Sequence, residues 1–535
     1  MSKAADMAKV SAKGGFHLLW GLVVSTVISS VGTILIALLL GEDNMGLYSI
    51  AVAAPNLIAI FRDWGVTTAM VKYSAQYNSE NNVAKIRSIF VSGLAFEIIF
   101  GLILSVLSIS ISGFLATLFQ RPAIAPLIQI TSIFILTGAL VNTATAAFTG
   151  MERMHLNSIM LIIQAIVKTA LIIGLVVLGF GTLGAVVGFT VAVTIAGIAG
   201  LLLMFTMYRS LPHPSDGKLD FMQTITGMLK YGLPISIGAI LTGFLTQFYS
   251  YVMAIFVTDN SLIGNYSVAT NFVVLITFFA TPVTTMLLPA FSKLDYKKDQ
   301  PILQNVFQYS IKYAALIVVP VTALVMSLAQ PAVGTIFGPR YLQAPLFLAL
   351  LGIVYLQSAI GTLSIGNLIN SQGDTKYNLK LTMLTAAIGF PLSFVLVSQF
   401  GIIGLIVTTT VVGVPGLIWS LFFIKKRYGV SIDWVSSAKI LFSSGITGVI
   451  TYLVVSWLPF SNVIRLIIGV IVFAIVLLAS IALTRTINRA DLAIIRQIVG
   501  GLGPLRTPVN AVLRLLEKFM PEKTDKSKNA LEKST

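Results

Sequence analysis

Apolar runs of about 20 residues recur along this chain, each long enough to cross the roughly 30 Å hydrocarbon core of a bilayer as a helix. Backbone amides and carbonyls in hydrocarbon must pair within the segment, so runs of this kind become helices. About fourteen can be placed, near 18–40, 45–68, 86–107, 124–147, 156–178, 183–205, 235–257, 262–288, 306–328, 344–368, 379–398, 402–423, 440–458 and 463–483. Hydrophobic residues make up 56% of the sequence and charged residues 10%, against roughly 25% charged in an ordinary soluble protein. The expected class is all-α, a polytopic membrane protein.

The runs are not independent of one another. Gly46-Leu47-Tyr48-Ser49-Ile50-Ala51 returns as Gly264-Asn265-Tyr266-Ser267-Val268-Ala269, and Leu115-Ala116-Thr117-Leu118-Phe119 returns at the same offset as Val333-Gly334-Thr335-Ile336-Phe337. Val66-Thr67-Thr68 pairs with Val283-Thr284-Thr285, and Phe180-Gly181 with Gly184 pairs with Phe400-Gly401 and Gly404. Collinear pairs of this kind mark an internal duplication. An even number of helices per copy makes it a parallel repeat about an axis along the membrane normal. The sequence therefore predicts two six-helix units related as parallel repeats, with two further helices after them.

Short loops rich in Lys and Arg stay in the cytoplasm. Of the 35 Lys and Arg, 30 fall on the side that carries both termini, including Lys3, Lys9 and Lys13. Arg121, Arg340 and Arg465 fall on the other side, and Arg62 and Lys168 lie inside predicted helices. Both termini are placed in the cytoplasm of a multi-pass protein of the cell membrane. The net charge of +16 is spread over loop ends rather than gathered on a folded basic face, which argues against a nucleic-acid partner. The first helix is too long for a signal peptide and is read as retained. With no cysteine, disulfides and thiolate metal sites are excluded.

The organisation expected is an N-lobe over 1–210, a cytoplasmic linker over 211–234, a C-lobe over 235–424, two extra helices over 425–484, and a basic tail over 485–535. Leu492, Ile495 and Val499, then Val509, Val512, Leu513, Leu516 and Met520, recur in that tail at helical spacing among basic residues. Two readings stand side by side there, helices on an anionic leaflet and a solvated end that fixes topology, with 521–535 disordered.

Asp63-Trp64-Gly65-Val66, followed by Ala69 and Lys72, resembles the Asp-x-Gly signature of polysaccharide flippases in the multidrug/oligosaccharidyl-lipid/polysaccharide exporter superfamily. Gly181, Gly184 and Ala185, and the Gln372-Gly373-Asp374-Thr375-Lys376 loop, are similar to patterns of the same family. The resemblance covers about 1–425. It implies two lobes meeting around a cavity, and transfer of a polyprenyl-linked sugar from the inner to the outer leaflet by alternating access. It implies no cofactor and leaves proton coupling, sodium coupling and facilitated exchange open. Membrane lipids and polysaccharide assembly proteins are the partners implied, and a monomer is expected.

A phosphate-bearing head group cannot cross hydrocarbon alone, so the site residues sought are ionisable and polar groups at membrane depth. Arg62 and Asp63 lie near the end of the second helix. Glu97 and Lys168 each lie roughly 16 Å inside theirs, at 1.5 Å per residue. Their second-copy equivalents, Ala280, Thr281, Ala315 and Ile388, carry no charge. Two arrangements are open: cavity-lining groups, or a buried Glu97–Lys168 pair that locks two helices, with Arg62 and Asp63 reaching the head groups. Gln247, Tyr249, Tyr251, Asn271 and Gln357 suit sugar hydroxyls and equally suit bonds between helices. The hydroxyls of Ser25, Ser29, Ser30 and Thr33 are assigned to close helix packing. His17 suits interfacial anchoring or titration, and Pro234, Pro282 and Pro391 mark bends or kinks.

Competing readings are a cation-coupled drug antiporter of the same superfamily, a membrane glycosyltransferase, and a non-transporting scaffold. The antiporter shares the doubled fold but does not call for cations that suit an anionic head. A glycosyltransferase would draw its acidic metal site from Glu42 and Asp43, in a loop too short to supply further ligands. There is no phosphate-binding Walker loop, and His17, His155 and His213 lack metal spacing.

Overall fold

A computed structural model describes residues 3–212, 220–487 and 491, so the tail helices expected over 492–520 fall outside the described residues. The described residues form helices joined by turns and short loops, with no strand among them. The chain divides into two compact units, one of residues 1–274, 336–347 and 375–418, the other of 275–335, 348–374 and 419–535.

The first unit begins with α1 (Lys3–Ala59), whose helical path breaks at Gly41. It continues through α2 (Val66–Ser79), α3 (Val83–Ser110), α4 (Ser112–Leu118), α5 (Ala125–Gly150), α6 (Met154–Leu175), α7 (Gly181–Ser210), α8 (Phe221–Phe256) and α9 (Asn260–Phe272). Polar residues mark several starts. Asn82 accepts the Lys85 amide at the head of α3, Asp220 accepts that of Gln223 at α8, and Asp259 accepts that of Ser261 at α9, each satisfying an amide with no intrahelical partner. The expected linker 211–234 is therefore helical from Phe221 onward. A core of Val66, Met70, Phe90, Phe148, Met160 and Met204 lies sealed among α2, α3, α5, α6 and α7.

The second unit holds most of α10 (Val274–Ser292), then α11 (Gln300–Ser327), α12 (Ala329–Phe337) up to Thr335, α13 (Ala344–Leu356) from Leu348 and α14 (Thr362–Ser371). α15 (Thr375–Val411) and the start of α16 (Val414–Tyr428) belong to the first unit, whereas α17 (Trp434–Trp457) and α18 (Asn462–Thr484) close the second. Gln372 of the family-like loop donates to the carbonyls of Phe291 and Leu294 and accepts the amide of Tyr296, while Asp374 accepts the Tyr428 hydroxyl at 2.7 Å. Those two positions serve the packing of their own unit. Past α18, Asp491 is buried and accepts Lys312 Nζ at 2.6 Å and the Tyr313 hydroxyl at 3.1 Å.

Ten described helical stretches are long and apolar enough to cross a membrane, or eleven if the bent pair Ala344–Ile360 and Thr362–Ser371 is one crossing. Some of the fourteen expected runs are joined into longer helical stretches. Three of the stretches, Trp20–Ala59, Met154–Ser210 and Lys376–Tyr428, run 40, 57 and 53 residues. Each is interrupted by glycine in a non-helical conformation, at Gly41, at Gly179 and Gly181, and at Gly401. A chain that reverses at a glycine needs no polar loop, so consecutive apolar runs join with little punctuation.

Candidate functional site

The charged side chains at membrane depth sort into two places within the first unit. Arg62, in the turn after α1, donates from Nε to Glu97 Oε2 at 3.0 Å and from Nη1 to the Ile135 carbonyl at 3.1 Å. Glu97 is fully buried on α3 and Arg62 is nearly so. Gly138 of α5 leaves the guanidinium its space, since a Cβ there would lie 3.3 Å from Nη1. Of the two arrangements left open for Glu97, neither cavity lining nor a pair with Lys168 is found: its partner is Arg62. Equal depth gave the two residues the same height, but their helices turn them to different neighbours.

Asp63 does not reach outward either. Its Oδ1 accepts the amides of Gly65 at 2.9 Å and Thr67 at 3.2 Å, and its Oδ2 accepts the Thr67 hydroxyl. This is an Asx-type cap on the first turn of α2, and it holds Gly65 at φ 86°, a region that glycine enters without steric cost. The signature-like Asp63 and Gly65 are in this way a start signal for α2.

Lys168 of α6 lines a separate cavity of about 210 Å³ with Ser25, Thr26, Ser29, Ser30 and Thr33 of α1 and with Asn271 of α9. Close packing builds its walls. A Cβ on Gly21 would collide with Ser158, and one on Gly32 with Thr169, so both glycines let α1 lie hard against α6 beside Lys168. Ser25 donates to the Leu22 carbonyl at 3.1 Å and Thr33 to the Ser29 carbonyl at 2.8 Å. Their protons are spent on the helix, and their oxygens remain as acceptors. Among the described residues no carboxylate lies within ion-pair distance of Lys168. One cation, five hydroxyls and one amide therefore border a space of about seven waters' volume, large enough to admit a phosphate group. The hydroxyl stripe assigned to packing lines this cavity. The signal was its helical spacing on one face at the depth of Lys168.

The other candidates fall elsewhere. Tyr251 is buried, donates its hydroxyl to the Ala54 carbonyl and meets Phe119 edge-on at 5.1 Å, so it ties α8 to α1. Tyr249 is likewise buried on α8, where its hydroxyl has no hydrogen-bond partner among the described residues. Gln247 is partly buried on α8, and Gln357 lies in a 3-10 turn of the second unit.

Symmetric contacts that sequence reasoning missed tie the two copies of the repeat together inside the first unit. Ser49 donates to Ser267, its own equivalent 218 residues on, at 2.9 Å. Gly46 abuts the Asn260 carbonyl and Gly264 abuts the Glu42 carbonyl, two contacts related by the same offset. Arg121 uses all five guanidinium N–H groups, on Asn260 Oδ1 and on the carbonyls of Phe119, Ala254, Val257 and Thr258. Near the end of the first half of α1, Arg340 and Tyr341 donate to the carbonyls of Leu38 and Ala37 in the same manner.

Residues 11–295 match the family described as polysaccharide biosynthesis protein. An uncharacterized membrane protein of Methanocaldococcus jannaschii is 21% identical over 400 residues, which span 72% of this chain and 78% of that protein. A probable low-salt glycan biosynthesis flippase of Haloferax volcanii, Agl15, is 26% identical over 185 residues, 34% of this chain and 37% of the relative. Among solved structures, the lipid II flippase MurJ in an inward closed conformation shares the fold, with a TM-score of 0.69 at 17% identity over 86% of this chain and 97% of that one.

Proposed function

The chain belongs to the polysaccharide biosynthesis protein family, and we propose that it is a flippase that moves a lipid-linked glycan from the inner to the outer leaflet. The observation that carries this reading is the Lys168 cavity. Its hydroxyl-lined wall presents a cation with no ion-pair partner among the described residues, inside helices long enough to span a bilayer. A charge held at that depth is costly unless it meets water or a counter-ion, and the phosphate of a lipid-linked sugar supplies the counter-ion. The hydroxyl oxygens and Asn271 then bond the sugar hydroxyls of the head group while the lipid chain stays in the bilayer. The flippase names of Agl15 and MurJ point to the same class of cargo.

The architecture proposed with it is two six-helix lobes related as parallel repeats, with α17 and α18 outside the duplication. Three long stretches broken at glycine supply two crossings each, which with the bent pair brings the helices to fourteen. The Ser49–Ser267 bond between equivalent residues, and the paired Gly46 and Gly264 contacts, support a two-fold relation. Both termini face the cytoplasm, where the Lys and Arg excess lies. The protein works as a transporter with no covalent step, as a monomer. Its energy comes from an ion gradient or from exchange.

Depleting the protein in its own cells tests the reading. A lipid-linked glycan should accumulate on the inner leaflet and clear when expression is restored. Unchanged glycolipid distribution, with drug export lost instead, would favour the antiporter.

A further inference from the structure

Four basic side chains gather on one face of the first unit, where α2 passes to α3 and α7 to α8. Lys72 Nζ stands 3.8 Å from the centroid of the Tyr231 ring and 4.8 Å from that of Tyr73, and Lys85 Nζ stands 4.9 Å from that of Tyr77. The rings join the two lysines into one platform, since Tyr73 stacks on Tyr77 at 6.0 Å and meets Tyr231 at 5.6 Å. The Arg87 guanidinium lies 4.6 Å from the Tyr208 ring, and that of Arg209 lies 4.6 Å from the Phe205 ring. Hydrogen bonds tie these helix ends together: Ser88 with Thr224 at 2.8 Å, and Arg87 Nη2 to the Leu211 carbonyl at 2.7 Å. Each cation thus rests on the face of an aromatic ring, which attracts positive charge and leaves its outer N–H groups for another partner.

No carboxylate neutralises this charge among the described residues. None of the ion pairs includes Lys72, Lys85, Arg87 or Arg209. The two described acids of these segments are engaged elsewhere, Glu80 with the Gln76 side-chain amide and Asp220 with the Gln223 backbone amide. Arg87 is buried, and its Nε has no hydrogen-bond partner among the described residues. A guanidinium keeps its proton, so Arg87 sets a permanent positive charge behind the lysines. Exposed apolar side chains adjoin the same helix ends, Phe205 beneath Arg209 and Met222 in the first turn of α8.

We infer that this platform is a binding site for an anionic phospholipid of the leaflet it faces, which is the inner leaflet in the orientation proposed above. The lysines hold the phosphate, and the acyl chains lie on the neighbouring apolar surface. A lipid fits better than a soluble anion because the cations sit at the ends of helices long enough to span a bilayer, beside exposed apolar groups, and on tyrosines, which settle at head-group level. Basic residues that only fixed topology would need neither seats on rings nor a buried Arg87. The site does not depend on what the protein carries.

Native mass spectrometry of the purified full-length protein tests it, with dioleoyl-phosphatidylglycerol, dioleoyl-phosphatidylcholine and inorganic phosphate as probes. Phosphatidylglycerol should bind at least about fivefold more tightly than phosphatidylcholine, and Lys72→Gln and Lys85→Gln should each weaken it by about fivefold, the effect of one basic residue at an anionic surface. Both lysines are exposed, so these variants should fold. Lys72→Arg with Lys85→Arg should keep most of the affinity, because the charge remains. Lys425→Gln with Lys426→Gln removes the same charge from exposed positions on α16 and should leave the affinity unchanged. Equal binding of the two lipids, native affinity in the combined Lys72→Gln and Lys85→Gln variant, or an equal loss in the α16 variant would each overturn the site. Displacement of the lipid by inorganic phosphate would overturn it too, by assigning the platform to a soluble anion.

Discussion

Arg62 and Glu97 meet at 3.0 Å with the carboxylate wholly sealed from solvent, and this pair, rather than Glu97 with Lys168, is where the first unit balances its buried charge. Removing one partner strands the other in a low-dielectric interior at a cost of about 3–5 kcal/mol. Arg62→Met and Glu97→Leu should each lower the amount of folded protein, and the double substitution should restore much of it. Fluorescence-detected size exclusion of the two singles and the double measures this. Additive losses in the double would show that the pair does not act as a unit.

Arg121 should be sensitive even to lysine. Its guanidinium holds five donors in a fixed fork and places three of them on the Ala254, Val257 and Thr258 carbonyls at the end of α8, whereas an ammonium offers three without that geometry. Arg121→Ala and Arg121→Lys are both expected to lower the thermal midpoint in detergent. The cost is about 1–3 kcal/mol for each buried carbonyl left without a donor. A lysine variant as stable as the native protein would contradict the capping role.

The two glycine clasps make a symmetric prediction. Gly46→Ala presses a methyl group on the Asn260 carbonyl and Gly264→Ala presses one on the Glu42 carbonyl, in equivalent surroundings. The two variants should lose similar stability, on the order of 1–3 kcal/mol for overpacking. Thermal midpoints read it, and a large inequality between them would argue against the two-fold relation.

Topology is tested from either side of the membrane. An impermeant maleimide should reach Ser215→Cys only from the cytoplasm and Asp43→Cys only from outside, following the Lys and Arg bias. Labelling with the sides exchanged would invert the proposed direction of transport.

The sequence made the helical class and the duplication legible, because hydrocarbon demands long apolar runs and because Gly46 and Ser49 return intact at Gly264 and Ser267. It did not reveal where helices join without a loop, as at Gly181 and Gly401, since glycine inside an apolar run also serves packing. For the site, distance along a helix gave depth but not direction. Glu97 and Lys168 were set at one height, and only tertiary packing turned Glu97 to Arg62 and Lys168 to the α1 hydroxyls. The role of those hydroxyls is ambiguous in the sequence for a related reason: a serine stripe looks the same against a neighbouring helix as against a cavity.

The most direct test of the account is the rate at which purified protein in proteoliposomes moves a polyprenyl-pyrophosphate-linked sugar across the bilayer, compared between the native chain, Lys168→Ala and Lys168→Arg. Lys168→Ala should fold normally, because a cavity-facing charge leaves no ion-pair partner behind among the described residues, and should lose at least about tenfold in rate, the equivalent of 1.4 kcal/mol. Lys168→Arg should keep part of the rate, since the charge remains while its geometry changes. Native-rate translocation by well-folded Lys168→Ala would contradict the assignment of this cavity to the phosphate of the cargo.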